Sequence, residues 1–367
     1  MEYLSNTEDK QYTVKSKRFK EIDALRGLAV LLMVFSHGLR WVYESNPVKI
    51  LGIFGHTPGD IATPMFYLAA GLALYFSCES RLNRNTDPQE LRKEYSIRLG
   101  KLFLIGVFMS LSWGVLQAQA VSLFILVWFV LSAVRKHDLN FLRSLFPSIM
   151  LLALLLHLLL SQSQLSLFWG KILAGQFPLF AILLVNAVGF YFAPYLRSRF
   201  FSWGCLGLGI GLVVIALLLN ENGISIVRYG ASIPFLLLGM GLSFFLLGIF
   251  NFGFFQKSLL FRYFTLIGQD ALFIFVFHYV IFFLPFYFMG LLGNMTSAGA
   301  LMFAGIVVTG AITAAILRRN SSLSVYNIFD TIFLASWHNL LLPIGKWMHT
   351  LSQNLTYPGE AGARLDK

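Results

Sequence analysis

Apolar runs of about twenty residues recur along the chain, each bounded by charges or turn residues, and no other feature restricts its fold as much. A helix crossing the hydrocarbon core of a bilayer needs ~20 mainly apolar residues, because every backbone N–H and C=O must be satisfied within the segment. The runs give spans near Ala24 to Tyr43, Ile61 to Cys78, Ile97 to Leu116, and Val121 to Val134 with the residues before it. Others fall near Phe141 to Leu160, Phe177 to Ala193, Phe201 to Leu219 and Gly230 to Phe250. The final three lie near Phe264 to Met289, Ala298 to Leu317 and Ile328 to Met348. The last contains Asp330, Trp337, His338 and Asn339, which gives it an interfacial alternative.

Composition agrees with this reading. Hydrophobic residues make up 57% and charged residues 12% of the chain, against roughly 45–50% and ~25% in soluble domains. Eleven spans would take about 220 residues, which excludes a large soluble domain. The expectation is an all-α polytopic membrane protein, a single bundle of about 10–11 transmembrane helices. Its divisions are a cytoplasmic tail over residues 1–20, a transmembrane domain over 21–349 and a polar tail over 350–367. The first 22 residues are polar, and the apolar run after them is too long and lacks a small-residue cleavage site, so it reads as a retained helix rather than a secretory signal.

The net charge of +11 could belong to a nucleic-acid binder, but no basic stripe is interleaved with aromatics, so no nucleic-acid partner is expected. The cations instead alternate from loop to loop. One set of loops carries 5 in the N-terminal tail, 6 from Arg81 to Lys101, 3 from Arg135 to Arg143, and the pairs Arg197/Arg199, Lys257/Arg262 and Arg318/Arg319. The other set has only Arg40, Lys49, Lys171, Arg228, Lys346, Arg364 and Lys367. By the positive-inside rule the N-terminus is cytoplasmic. Arg26 belongs to neither set, because it lies within the first span.

Minor features add little. Cys78 and Cys205 fall in apolar segments and form no disulfide framework. Asn294-Met-Thr and Asn354-Leu-Thr fit the glycosylation pattern but are short enough to arise by chance. Gly207, Gly209 and Gly211 read as small residues for close helix packing rather than as a nucleotide loop.

Ionisable residues inside a span cost at least ~2.5–3.5 kcal/mol each at its centre and are functional-site hypotheses by default. The first span has Asp23, Arg26 and His37. Eleven residues at 100° each bring His37 to within ~20° of Arg26's direction, and a rise of ~1.5 Å per residue separates them by ~16 Å along the axis. A boundary ion pair accounts for Asp23 and Arg26 but not for a histidine on the same face three turns deeper. A guanidinium suits phosphate or carboxylate, and histidine suits proton transfer near neutral pH. A second cluster comprises His56 and Asp60, with Pro64 and Gly71 following in the second span. Asp60 has a plain alternative as a helix cap, and His56 as a solvated loop residue. A third group is Asp270 and His278, ~80° apart around one helix, for which polar contact between helices is the plain reading.

These residues resemble a known family. Asp23-Ala-Leu-Arg26-Gly-Leu-Ala, then Leu-Met-Val-Phe-Ser-His37, then Asp60-Ile-Ala-Thr-Pro64-Met-Phe with Gly71 are similar to the catalytic domain of heparan-alpha-glucosaminide N-acetyltransferases and their bacterial relatives. The spacing from Arg26 to His37 also resembles the acyltransferase type 3 family, and Gly268-Gln-Asp270 through His278 resembles a late helix of that broader group. The motifs cover about residues 18 to 80 and 266 to 280.

The resemblance implies an enzyme that moves an acyl group, acetyl above all, from cytoplasmic acyl-CoA to a hydroxyl or amine of a sugar or glycan on the far side of the membrane. Acetyl-CoA is then the donor, no metal is expected, and the bacterial inner membrane is the expected location, with room left for an oligomer. Arg26 would hold the CoA phosphates or the thioester end, Asp23 would orient Arg26, and a histidine would deprotonate the acceptor. In the glucosaminide branch that histidine precedes the aspartate matching Asp60 by some ten residues, whereas His56 precedes it by only four. The base is therefore His37 or His56, with Arg26 spacing favouring His37. The competing reading is a transporter or flippase using Asp23, Arg26, His37, Asp60 and His278 as an ion or proton path, against which stands the lack of repeat symmetry and paired broken helices. A metal site from His37, His56, Asp60 and His278 lacks any tight ligand motif.

Overall fold

The computed structural model describes residues 18–46, 56–110, 112–134, 139–161, 167–198 and 200–320. The expected last span, the C-terminal tail and Asn354 lie outside the described residues, as does nearly all of the N-terminal tail. The chain divides into two compact units, residues 1–312 and 313–367. The described part of the second is the end of one helix.

The described elements are helical. They are α1 (Lys20–Val42), α2 (Pro58–Leu82), α3 (Pro88–Met109), α4 (Val115–Val134), α5 (Leu139–Ser161), α6 (Leu167–Leu173), α7 (Leu179–Phe192), α8 (Phe201–Glu221) and α9 (Ile233–Phe250). After a single turn at Gly253–Gln256 come α10 (Leu259–Gln269), α11 (Ala271–His278), a π-helical turn (Tyr279–Phe283), α12 (Leu284–Phe288) and α13 (Ser297–Asn320). Among the described residues, nine helical segments are long and apolar enough to cross a membrane. The protein is therefore an integral, multi-pass, all-α membrane protein.

Local chemistry sets the helix ends. Glu21 and Asp23 occupy the first turn of α1 and Arg40 its last, the arrangement that the helix dipole favours. Thr57 and Asp60 form a reciprocal capping box at the start of α2. Ser232 and Ser258 cap α9 and α10 by accepting from the backbone N–H groups of Phe235 and Phe261.

Two spans differ from the sequence expectation. The run read as Ile97 to Leu116 belongs to two elements, because α3 ends at Met109 with Ser110 extended and α4 begins at Val115. The run read as Phe264 to Met289 is broken at Asp270, which closes α10 and starts α11, and again at the π-helical turn. Pro285 follows that turn and cannot donate to the preceding carbonyls, which favours a local change of hydrogen-bond register.

The centre of the first unit is built from α1, α2 and α7, with α10 against α1, α9 against α2 and α8, and α4 and α5 against α7. Leu25, Leu39, Met65, Leu68 and Leu72 are fully buried there. Glycine permits the closest crossings. A side chain on Gly27 would meet the backbone of Phe264 and Gly268, and one on Gly268 would meet the backbone of Asp23 and Gly27. Gly71 and Gly189 make the same kind of contact between α2 and α7. Of the four glycines in α8, Gly209 alone faces a neighbour, the backbone of α9 at Gly241 and Phe245; Gly204, Gly207 and Gly211 face open space.

The far end of α1 is pinned by backbone pairing. Gly293 N–H donates to the Trp41 carbonyl at 2.8 Å, Met295 N–H donates to that of Val42 at 2.7 Å, and Glu44 N–H donates to that of Met295 at 3.1 Å. A side chain on Gly38 would strike Ala304 of α13. These contacts hold the last two turns of α1, which carry His37, Arg40 and Trp41.

Candidate functional site

Three groups of polar side chains lie along α1. At its start, Asp23 is buried and receives Arg18 Nε at 2.5 Å on Oδ2 and Nη2 at 3.2 Å on Oδ1, while Arg26 Nη1 lies 3.6 Å from Oδ1. One carboxylate thus meets two guanidiniums. Arg26 keeps about a quarter of its side chain exposed. The expected Asp23–Arg26 pair is present, and Arg18 is an addition that sequence reasoning did not single out.

Deeper in the bundle, His37 and His278 meet. His37 Nδ1 lies 3.1 Å from His278 Nε2, and His278 Nδ1 lies 3.0 Å from the Ile274 carbonyl oxygen. A carbonyl can only accept, so His278 carries its hydrogen on Nδ1 and its neutral ring offers a lone pair at Nε2. His37 must then donate from Nδ1. Its own Nε2 is left with a lone pair, the atom a general base requires. Trp41 stacks on both rings, with centroids 5.5 Å from His37 and 5.4 Å from His278. His278 is fully buried and His37 partly open. Asp270, at the break before α11, is half-buried one helix away from this pair.

Beside the histidines stands a second carboxylate with two arginines. Arg40 Nη2 lies 2.7 Å from each oxygen of Asp60 and 3.1 Å from Thr57 Oγ1. Arg228, from the loop between α8 and α9, places Nη1 2.5 Å from Asp60 Oδ1. The same carboxylate accepts the Thr57 N–H at 2.8 Å and the Thr57 hydroxyl at 2.9 Å. Asp60 therefore is a helix cap, as its plain reading had it, and also the counter-ion of two guanidiniums. Burial pulls the Arg228 pKa down from the ordinary arginine range; the Asp60 carboxylate opposes this and Arg40 adds to it. Both guanidiniums are within electrostatic reach of His37.

His56 takes a different course. Its Nε2–H donates to the Ile226 carbonyl at 3.0 Å, and its ring meets the edge of Phe235 with centroids 5.5 Å apart. The structure thus brings His37 and His278 together, keeps Asp23 with Arg26, and joins Asp60 to Arg40 and Arg228, while His56 engages the Arg228 loop rather than Asp60. The sequence did hold a signal for Arg40, which stands three residues after His37 and so shares its helix face. Arg228 had none, because its partner is 168 positions away and the loop between them in space has no motif.

No curated protein matches the chain. A protein-family model does, the one described as heparan-alpha-glucosaminide N-acetyltransferase, catalytic, over residues 18–280. That match starts at Arg18, ends just after His278, and takes in the Asp23, His37 and Asp60 groups. The chain belongs to the heparan-alpha-glucosaminide N-acetyltransferase catalytic family.

Proposed function

We propose that the protein is a transmembrane acetyltransferase that takes the acetyl group of acetyl-CoA at the Arg26 end of α1 and delivers it to an amine or hydroxyl of a sugar at the Arg40 end. The observation that carries this reading is the tautomer chain from the Ile274 carbonyl through His278 to His37, which leaves His37 Nε2 unprotonated and able to accept.

The Arg26 end lies in the cytoplasm. There Arg18 and Arg26 attract the CoA phosphates, which a guanidinium suits by its planar set of donors. About 16 Å along the same helix, His37 meets the acceptor. The acceptor nitrogen or oxygen attacks the thioester carbonyl, and His37 Nε2 takes its proton as the new bond forms. The carbon–sulfur bond breaks, the electron pair leaves on sulfur, and the proton passes from His37 to give free CoA thiol. Charge building on His37 is shared with His278 through their hydrogen bond, and stacking on Trp41 keeps both rings in register. Asp60 holds Arg40 and Arg228 beside this centre. General base catalysis of this kind contributes roughly 10²–10⁴-fold, and holding both reactants in one site supplies the remainder.

The test is release of CoA thiol by purified protein in nanodiscs given acetyl-CoA and an amino sugar. His37→Ala should lower turnover by about 10²-fold or more and still bind acetyl-CoA. Arg26→Ala should lose that binding. Absence of saturable acetyl-CoA binding by the wild-type protein would defeat the proposal.

A further inference from the structure

Next to Asp60 the structure has a crevice that the transfer chemistry does not use. It is lined by Thr63, Pro64 and Tyr67 of α2, by Gln176, Phe177, Pro178, Ala181 and Ile182 at the start of α7, and by Arg228, Ala231, Phe235 and Leu236 at the start of α9. None of these lining residues is acidic.

One donor on its wall is buried without a hydrogen-bond acceptor among the described residues: Tyr67 is 4% exposed and its hydroxyl has no partner there. Arg228, with a side chain 12% exposed, holds its Nη1 in an ion pair with Asp60 Oδ1 at 2.5 Å. A buried donor without a partner is costly, so the Tyr67 hydroxyl calls for a ligand that accepts from it. The charge count points the same way. Among the described residues Asp60 is the one carboxylate paired with Arg40 and Arg228, and it offsets one of the two. Two helix N-termini, those of α7 and α9, also border the crevice, and their dipoles favour negative charge.

We infer that this crevice is a binding subsite for an anionic group, a carboxylate or phosphate, carried by the acceptor or by a lipid headgroup. The anion accepts from Arg228 and from the Tyr67 hydroxyl, while the ring of Phe177, against which Arg228 also packs at 5.9 Å, closes one side. The inference deepens the acetyltransferase reading by giving its acceptor a chemical class, and it rests on that reading only for the word acceptor.

Full-length protein in phosphatidylcholine nanodiscs can be titrated calorimetrically with glucosamine, glucosamine 6-phosphate, glucuronate and inorganic phosphate. The anionic probes should bind about tenfold or more tightly than glucosamine. That preference should fall about tenfold in Arg228→Gln, where Arg40 still neutralises Asp60, and several-fold in Tyr67→Phe, which changes one hydroxyl and keeps the packing. Equal affinity for neutral and anionic sugars, or an anion preference identical in all three proteins, would overturn the inference. Adding phosphatidylglycerol to the nanodiscs separates the two sources. Competition with the free anions that disappears in Arg228→Gln supports the site with a lipid phosphate as occupant, and unchanged affinity supports it with a soluble acceptor. Acetyl-CoA binding measured in parallel keeps the two proposals apart, because its loss would defeat the transferase reading and leave the anion preference standing.

Discussion

The hydrogen bond between His37 and His278 fixes which nitrogen of His37 is free of a hydrogen, so in the proposed reaction His278 would be a positioning residue. A substitution that keeps an acceptor near the place of Nε2 should preserve the effect. His278→Gln should retain most turnover, whereas His278→Phe, which fills the volume and offers no acceptor, should lower kcat by about tenfold or more. KM for acetyl-CoA should stay the same in both, since the donor is held a long way along α1. Steady-state kinetics of CoA release checks this, and equal losses in the two variants would reduce His278 to a packing role. The same reasoning separates the two acidic residues of the site. Asp23 and Asp60 each stand between two arginines, so neither pair of guanidiniums lacks a counter-ion, which in a buried setting would be costly.

Helix crossings decide how these side chains come together. Gly27 and Gly268 bring α1 and α10 into backbone contact one residue from Arg26 and two from Asp270. Gly268→Ala should therefore separate the helices and destabilise the protein by at least ~1–3 kcal/mol through overpacking. Gly207→Ala, with open space around it and a helical backbone, should be neutral or stabilising by up to ~1 kcal/mol. Thermal unfolding in detergent of the two variants checks the contrast. Elements of this kind were readable where hydrophobicity alone decides them. Eight of the eleven expected runs fall on single helices, because a span needs only length and apolar character; two are interrupted, and the eleventh lies outside the described residues. What escaped were interruptions and partners. The break at Asp270 and the π-helical turn change hydrogen-bond register without changing hydropathy, and nothing in residues 222–232 shows that Arg228 would reach Asp60. His37 and His278 could each be marked as charges out of place, but their contact depends on α10 and α11 packing against α1 and could not be read from either segment.

For the whole molecule, the distribution of cations implies a direction across the membrane. The loop after α2, near Thr86, should face the cytoplasm and the loop after α8, near Asn222, the opposite side. Cysteines placed at these two positions would test this, since Cys78 and Cys205 are buried and should react little. A membrane-impermeant maleimide should label Asn222→Cys in intact cells and Thr86→Cys only after permeabilisation. The reverse pattern would invert the proposed route of the acetyl group. One more property follows from α1 running unbroken from Lys20 to Val42, with no proline or π turn between Arg26 and His37. Such a helix is a ruler of fixed length. Under the proposed reaction, a donor gripped by its phosphates at one mark would need to carry its thioester on an arm of about 16 Å to reach the other, so donors would be selected by reach as well as by charge, and a short acyl thioester without a nucleotide handle would satisfy only one end at a time.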